Sequence, residues 1–397
     1  MVYSVTLIDD KQGQLFVKGG FYEITKTGKV QTKDEVAVLQ DTASDATRLV
    51  IRGKVTAVGD TAGATGIYLT DSIDNDILIG KAGHVSGYEG VGGYASHSLI
   101  TNRGEISAAD NAIFLNGKNN TVINHGDIHS FNTAVGLAAG NGKVINAGEI
   151  SGKTAIFMSE PSDSMSEIQN SGTITGSQWA IFGSSGKDKV TNSGVINGDI
   201  SLYDGDDSFI LSAGKVNGSV YGGGGDDLYS LRKGGTKLVE LAGEGIDSVH
   251  VSFDYKLRSN FEDLYLDGDK FVRGIGNELD NKLVGTGKGD NVLKGGGGHD
   301  ILDGAFGNDV LVGGARTDTF VFGDNYGRDR IKDFQAPGMK GHDMVDLGGT
   351  DNFSGFDEMK AHMKQAGDDV VINFGEGNRL TLENVQMDDL QEYHFMF

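Results

Sequence analysis

The chain has 397 residues, a formal net charge of −22 and 63 glycines, but only two prolines and no cysteine. The acidic excess excludes the basic surface that nucleic-acid binding needs, and the missing cysteines exclude disulfides and thiolate metal sites. The sequence contains no apolar run of about 18 residues, so we predict no membrane span. It also has no basic segment followed by an apolar one behind Met1, so we predict no cleaved signal peptide.

The first 48 residues contain three short runs rich in β-branched and aromatic side chains: YSVTLI, QLFVKGG and FYEIT. Such runs between polar turns predict strands. Because an exposed strand edge invites aggregation, we expect residues 1–48 to form a β cap on the structure that follows.

A repeat of about 22 residues extends over residues 49–197, with one insertion of two residues. Its best copies read ITNRGEIS, VINHGDIH, VINAGEIS, IQNSGTIT and VTNSGVIN. A second apolar run follows in each repeat, as in NAIFL or TAIFM. Repeats of this length with two or three short strands predict a right-handed parallel β-helix.

Every good copy of this repeat carries one asparagine followed by a glycine and an isoleucine at intervals of two. The asparagines are Asn102, Asn124, Asn146, Asn170 and Asn192. One residue per coil in register is what an amide ladder requires, so we interpret the column as structural. Ligand binding by these amides is the alternative.

Residues 198–257 change the pattern to glycine-rich half-turns that end in an acid, as in GDD, GGGGDD and GEGID. These half-turns place Asp207, Asp227 and Asp247 twenty residues apart, on one side of successive coils. The β-helix is therefore expected to pass into the next repeat without a linker.

Between residues 276 and 322 the repeat shortens to nine residues. Asn291, Asp300, Asp309 and Asp318 recur at this interval, and each is followed two positions later by Leu293, Leu302, Leu311 or Phe320. Glycine allows the tight turn before each acid, an aspartate supplies a hard oxygen that suits calcium, and the leucine points into the fold from a short strand.

This nine-residue pattern resembles the RTX, or hemolysin-type calcium-binding, family. The resemblance implies a parallel β-roll in which each ion lies between one glycine-rich turn and the turn 18 residues further on. Several calcium ions would then be held by these residues: Asp207, Asp227, Asp247, Asn291, Gly296, Gly298, Asp300, Gly307, Asp309 and Asp318. A glycine- and aspartate-rich array without metal is the alternative, as are solvated acidic turns at the first three positions.

The copies depart from the family pattern in four places. Asn291 stands where an acid is expected, and Ala305, Ala315 and Arg316 stand where glycines are expected. These departures affect the outermost ion sites. Asp329 and Asp333, further on, are candidates either for a terminal ion or for turn acids.

The last part of the chain has a mixed pattern. Phe356, Met359 and Met363 share a face at helical spacing and predict one short helix. VVINF-GEGN-RLTLENV predicts a β-hairpin. The tail resembles the C-terminal cap and uncleaved secretion signal of RTX exoproteins, which implies a type I exporter as partner and an extracellular location.

The sequence thus predicts an all-β protein: a right-handed parallel β-helix that continues into a calcium-binding β-roll, with a small mixed C-terminal cap. The expected domains are a cap at 1–48, the β-helix at 49–197, the β-roll at 198–348, and the cap with export signal at 349–397. Calcium would remove the repulsion between stacked carboxylates, so binding and folding would be coupled.

No catalytic residue is predicted. The chain has no HExxH and no GxSxG motif, which excludes the usual metalloprotease and lipase signatures. We therefore expect a non-enzymatic structural or adhesive protein, such as a biofilm, surface-layer or adhesin component, that self-associates or binds cell-surface polysaccharide. The alternative is a β-helix lyase or epimerase that acts on acidic polysaccharide, and a secreted effector on membranes is a third class.

Overall fold

The computed structural model describes residues 5–40, 46–61, 63–159, 161–336, 341–350 and 353–397. The chain divides into two compact units. The first unit comprises Met1–Gly225 with Gly235–Val239, and the second comprises Asp226–Gly234 with Glu240–Phe397.

The first unit is a parallel β-solenoid with three faces. The ladder face contains Thr47–Ile51, Asp76–Ile79, Leu99–Asn102, Thr121–Asn124, Lys143–Asn146, Met165–Asn170, Lys187–Asn192 and Ser208–Leu211. The second face contains Lys54–Val58, His84–Gly87, Glu105–Ala108, Asp127–Ser130, Val195–Asn197, Lys215–Asn217 and the first halves of Glu149–Ser159 and Thr173–Phe182.

The third face contains Leu15–Val17, Val38–Gln40, Thr65–Leu69, Glu89–Gly93, Asn111–Asn116, Thr133–Ala138, Ile200–Asp204, Ser219–Gly224, Lys237–Val239 and the second halves of Glu149–Ser159 and Thr173–Phe182. Val5–Gln12 and Gly20–Lys33 each run through the first two faces. The strands that we expected to cap the solenoid thus pair in parallel with the next coil.

The alternation of inward and outward side chains explains why these segments form strands around a common core. Successive side chains of a strand point to opposite sides, so every second apolar residue enters the solenoid. Ile106, Ile128 and Ile150, which the repeat places in register, are all buried. Their stacking, coil on coil, supplies the hydrophobic stabilisation of the unit.

The asparagine column forms the predicted amide ladder. Asn102 donates from Nδ2 to Oδ1 of Asn124 at 2.9 Å, and the same bond links Asn124 to Asn146, Asn146 to Asn170 and Asn170 to Asn192 at 2.8–2.9 Å. These side chains are at most 2% exposed. The prediction of a structural ladder is confirmed.

The second unit contains two sheets. The first sheet contains the parallel strands Leu228–Leu231, Ser248–Val251, Asp263–Leu266, Lys282–Gly285, Ile301–Asp303, Thr319–Val321, Met344–Asp346 and Phe395–Met396. The other sheet contains Tyr255–Lys256, Arg273–Ile275, Val292–Gly297, Val310–Ala315, Arg328–Ile331, Asn378–Leu382, Asp369–Gly375 and Met363–Ala366.

The nine-residue repeat lies between these two sheets. Leu293 and Leu311 enter the core from one sheet, and Leu302 and Phe320 enter it from the other, all at most 1% exposed. Two nine-residue half-coils therefore make one 18-residue coil, as the sequence predicts.

The C-terminal segment has a short helix at Phe356–Lys360, which buries Met359, and two 3-10 turns at Met387–Asp389 and Glu392–His394. The predicted hairpin is present, because Asp369–Gly375 and Asn378–Leu382 pair antiparallel. Met363, expected on the helix, instead begins a strand.

The predicted all-β solenoid with a small mixed C-terminal sheet is thus confirmed. No helix in the described ranges reaches the length and apolarity that a membrane crossing requires.

Candidate functional site

Buried acids form two columns in the second unit. The first acid column consists of Asn281, Asp300, Asp318 and Asp343, and the second acid column consists of Asn291, Asp309 and Asp329. In both columns, Oδ1 of each aspartate accepts a hydrogen bond from the backbone N–H of the column residue one coil earlier, at 2.6–2.9 Å. The predicted neighbours, Asn291 with Asp309 and Asp300 with Asp318, are therefore in contact.

The glycine-rich turns approach these columns too closely for a side chain. A Cβ on Gly295 would lie 2.1 Å from Oδ2 of Asp300, and one on Gly313 would lie 2.2 Å from Oδ2 of Asp318. The three predicted glycines, Gly296, Gly298 and Gly307, all have φ between 106° and 140°, which favours glycine. Glycine therefore permits both the turn and the position of the carboxylate.

Four of the column carboxylates keep one oxygen without a donor. Oδ2 of Asp300, Asp309, Asp318 and Asp329 is buried and makes no hydrogen bond. Burial, with a smaller contribution from neighbouring acids, raises the pKa of the first three to about 7 and the pKa of Asp329 to about 8. The backbone N–H bonds at Oδ1 act in the opposite direction.

These oxygens fit a hard cation. An ionised carboxylate without a partner is costly to bury, so each must hold a proton or meet a positive charge. The columns offer only carboxylate, amide and backbone oxygen, the donor set that calcium takes and that zinc or copper does not favour. Residues of these two columns would hold calcium, whose charge would keep the acids ionised at neutral pH.

A further acidic cluster lies at the start of the second unit. Asp227, Glu240 and Asp247 are buried, and each offers one oxygen within 4.8 Å of the others. Oδ1 of Asp247 accepts from the N–H of Asp227 at 3.0 Å, and burial raises the pKa of Asp247 to about 7. The hydroxyl of Tyr229 contacts Oε1 of Glu240, and burial raises the pKa of Tyr229.

Sequence reasoning identified Asp227 and Asp247 but missed Glu240. The missed signal is alternation: Glu240 follows the buried Leu238 by two residues, so both side chains point inward. Asp207, the third predicted acid, belongs to the first unit, where its Oδ1 accepts from the N–H of Asp188 at 2.7 Å.

Three candidates from the sequence remain: Asn291, Asp329 and Asp333. Asn291 occupies a column position, and its amide donates to the carbonyl of Gly289. Because an amide is neutral, Asn291 supplies no charge. Asp333 accepts from the N–H groups of Gly313 and Gly314 with its two oxygens, as a turn acid does. Asp329, in contrast, is a full member of the second acid column.

No family model matches this sequence. The chain is 37% identical over 175 residues to endo-1,3-1,4-beta-glycanase ExsH of Rhizobium meliloti (strain 1021) and 40% identical over 174 residues to endo-1,3-1,4-beta-glycanase EglC of the same strain. Each match covers 44% of this chain and 34% of the relative, so the chain matches about a third of the length of these curated relatives.

Among solved structures, the chain is similar to the extracellular lipase LipA from Serratia marcescens, with 17% identity. This similarity covers 59% of this chain and 40% of that chain, with a TM-score of 0.23. A TM-score this low carries no argument about fold or function.

The two glycanases contradict two predictions made from the sequence. The expectation of a structural or adhesive protein is wrong, and so is the expectation that the chain is not an enzyme. The alternative, a β-helix protein that acts on polysaccharide, fits these relatives better. The absence of local motifs did not exclude an enzyme, because the carboxylates of a glycosidase need only meet in space and have no fixed sequence spacing.

Proposed function

We propose that this chain is a secreted, calcium-dependent protein that acts on β-linked polysaccharide. The observation that carries the substrate class is the similarity to two proteins named endo-1,3-1,4-beta-glycanases, at 37% and 40% identity. The parallel solenoid supports the proposal physically, because stacked coils provide an extended surface along which a polymer can lie.

Calcium is the cofactor that we propose for the second unit. The buried Oδ2 atoms of Asp300, Asp309, Asp318 and Asp329 support this assignment, since each lacks a donor. Extracellular calcium modules bind at about 10⁻⁴–10⁻³ M, which matches calcium outside a cell and far exceeds calcium in cytosol. A chain exported unfolded by a type I exporter would thus fold on arrival, and that exporter is the proposed partner.

The substrate proposal is tested by incubating the calcium-loaded chain with mixed-linkage 1,3-1,4-β-glucan. We expect new reducing ends to accumulate, and heat-inactivated chain is the control. If no reducing ends form from this glucan, from other β-glucans or from uronic-acid polymers, the enzymatic proposal is overturned.

The calcium proposal is tested by circular dichroism and light scattering during a calcium titration from chelator. We expect β-structure to increase with calcium, while light scattering tests self-association, which stays a prediction. A chain that is fully folded in chelator and insensitive to calcium would contradict the cofactor assignment.

A further inference from the structure

The third face of the first unit carries one outward residue per coil in strict register. This column runs through Tyr68, Gly92, Phe114, Gly136, Phe157 and Phe182. Because Ile113 and Leu115, on either side of Phe114, are buried, alternation directs the aromatic ring outward. We call this outer surface the aromatic face.

The rings of the aromatic face form a continuous row. Phe114 and Phe157 have centroids 6.3 Å apart with planes at 19°, and Phe157 and Phe182 have centroids 6.0 Å apart at 18°. Trp179, the chain's single tryptophan, lies 5.7 Å from Phe182 and 6.2 Å from Tyr221. Each of these side chains stays partly exposed, so the row is accessible to solvent.

Glycines create the spaces that the larger groups of this row occupy. A Cβ on Gly136 would lie 2.3 Å from the ring of Phe114, so that ring rests over the glycine. A Cβ on Gly92 would lie 3.1 Å from Oε2 of Glu89. The carboxylate of Glu89 therefore lies over Gly92, at the position between Tyr68 and Phe114 in the column.

Glu89 is held in place by hydrogen bonds and is half-buried. Oγ1 of Thr65 donates to Oε2 of Glu89 at 3.2 Å, and the side chain of Asn111 also bonds to Glu89. Burial raises the pKa of Glu89, and the charge of Asp110 adds to the increase, against the two hydrogen bonds. Glu89 thus keeps its proton to a higher pH than a solvated glutamate.

Asp110 is the second acid at this place. Asn111 donates to its Oδ2 and Asn132 to its Oδ1, both at 3.0 Å, so two amides orient the carboxylate. Asp110 belongs to the coil after that of Glu89, because its N–H bonds to the carbonyl of Tyr88 at 2.7 Å. Two carboxyl groups on neighbouring coils, one of which has a raised pKa, form the kind of pair that glycoside hydrolysis uses.

We propose that a neutral β-linked glycan binds lengthwise along the aromatic face, with its sugar rings against Phe114, Phe157 and Trp179 and a glycosidic oxygen against Glu89. This assignment rests on the proposed function and names its site. Neighbouring strands are about 4.8 Å apart, close to the repeat of one pyranose in an extended chain, so successive sugars meet successive coils. The acids Asp110 and Asp71 lie at one end of the row and would repel a uronate, which makes a neutral chain the occupant.

The chemistry at this site is hydrolysis. The carboxyl group of Glu89 gives its proton to the bridging oxygen as the bond from that oxygen to the anomeric carbon breaks. Water forms the new bond to the anomeric carbon, and its proton passes to the carboxylate of Asp110. One water is consumed, two chain ends result, and both acids return to their starting states by exchanging protons with solvent.

Binding is tested by the fluorescence of Trp179 in the full, calcium-loaded chain during titration with 1,3-1,4-β-glucan oligosaccharides. We expect a saturable change in emission, and a Kd at least tenfold weaker for Phe157→Ala. Phe157→Leu, which keeps apolar bulk without the ring, covers the case in which the alanine variant does not fold. Phe271→Ala is the matched control, because Phe271 is an exposed phenylalanine of the second unit.

Cleavage is tested separately with Glu89→Gln, which keeps the shape of the side chain but cannot give up a proton. We expect at least a hundredfold loss of reducing ends with an unchanged Kd. If Phe157→Leu binds as tightly as the unsubstituted chain, or if polygalacturonate binds better than neutral glucan, the aromatic face is overturned as the glycan site. If Glu89→Gln still cleaves, the role of Glu89 is overturned.

These outcomes separate the present inference from the proposed function. A chain that binds glucan through Phe157 but cleaves nothing supports the aromatic face as a binding surface and overturns the enzymatic function. A chain that cleaves glucan with no effect of Phe157→Leu supports the function and overturns this site.

Discussion

Both units of this protein stack one polar residue per coil at a buried turn, but they use different groups. The first unit stacks asparagines, and an amide both donates and accepts, so Asn146 donates to Asn170 while it accepts from Asn124. The second unit stacks aspartates, and a carboxylate only accepts. Oδ1 of Asp300 is satisfied by a backbone N–H, but Oδ2 is left without a donor.

This difference shows that a buried polar column can satisfy all of its own hydrogen bonds, or can depend on protons and ions from solution. An amide ladder is neutral and satisfied at any pH and any calcium concentration. A carboxylate column needs protons or cations to offset its buried charge. The two units should therefore respond differently to the same change in solvent.

Removal of calcium at neutral pH is expected to have the largest effect. In chelator at pH 7.5 the second unit should lose hydrogen-exchange protection along its strands, because the stacked carboxylates then repel one another without a cation. The first unit should keep its protection. Hydrogen exchange read by mass spectrometry, with magnesium as the control ion, measures both units at once. Equal loss in the two units would contradict the comparison.

Acidification in chelator should restore part of this stability. The folded-state pKa of Asp300, Asp309 and Asp318 is about 7, above an unfolded value of about 4. Between these values the folded state binds more protons than the unfolded state, so stability falls as pH rises from about 4 to 7. The urea midpoint of the second unit should thus be higher at pH 5 than at pH 8. A urea midpoint that rises with pH would contradict the raised pKa of these aspartates.

The reciprocal substitutions test the comparison residue by residue. Asn146→Asp should destabilise the first unit by about 3 kcal/mol, since the carboxylate loses its donation to Asn170 and to the carbonyls of Gly148 and Thr173. Urea unfolding, followed by the fluorescence of Trp179 in the same unit, measures the loss. Asn116→Asp, at an exposed position of the same unit outside the ladder, is the control and should change little.

Asp300→Asn should have the smallest effect on the stability of the second unit. The sign of this effect should differ between chelator and saturating calcium. In chelator at pH 8 it should stabilise the second unit by about 1 kcal/mol, because it removes one uncompensated buried charge. With saturating calcium it should destabilise the unit, because it removes an anionic ligand. Stabilisation or destabilisation in both conditions would contradict the role of Asp300 as a calcium ligand. Asp333→Asn, at a turn acid, serves as the comparison variant.

Most of the fold could be predicted from the sequence because the repeats are registered in space as they are in sequence. A 22-residue period places Asn102 on Asn124, and an 18-residue period places Leu293 on Leu311. The same argument placed Asp300 beside Asp318. It did not reveal that the acids bond to backbone N–H groups through one oxygen only, because hydrogen-bond geometry is not a property of spacing.

The sequence by itself therefore determined the features that repeat with its period: the coils, the buried aliphatic columns, the amide ladder and the acid columns. Only the tertiary structure decided the aromatic face. Its members are separated by unequal sequence intervals. Phe157 comes one residue earlier than the step from Phe114 to Gly136 predicts, and Phe182 comes three residues later than the next such step predicts. Outward residues follow no hydrophobic period, since burial does not select them. Glu89 meets Thr65 and Asn111 only because three coils are stacked in parallel.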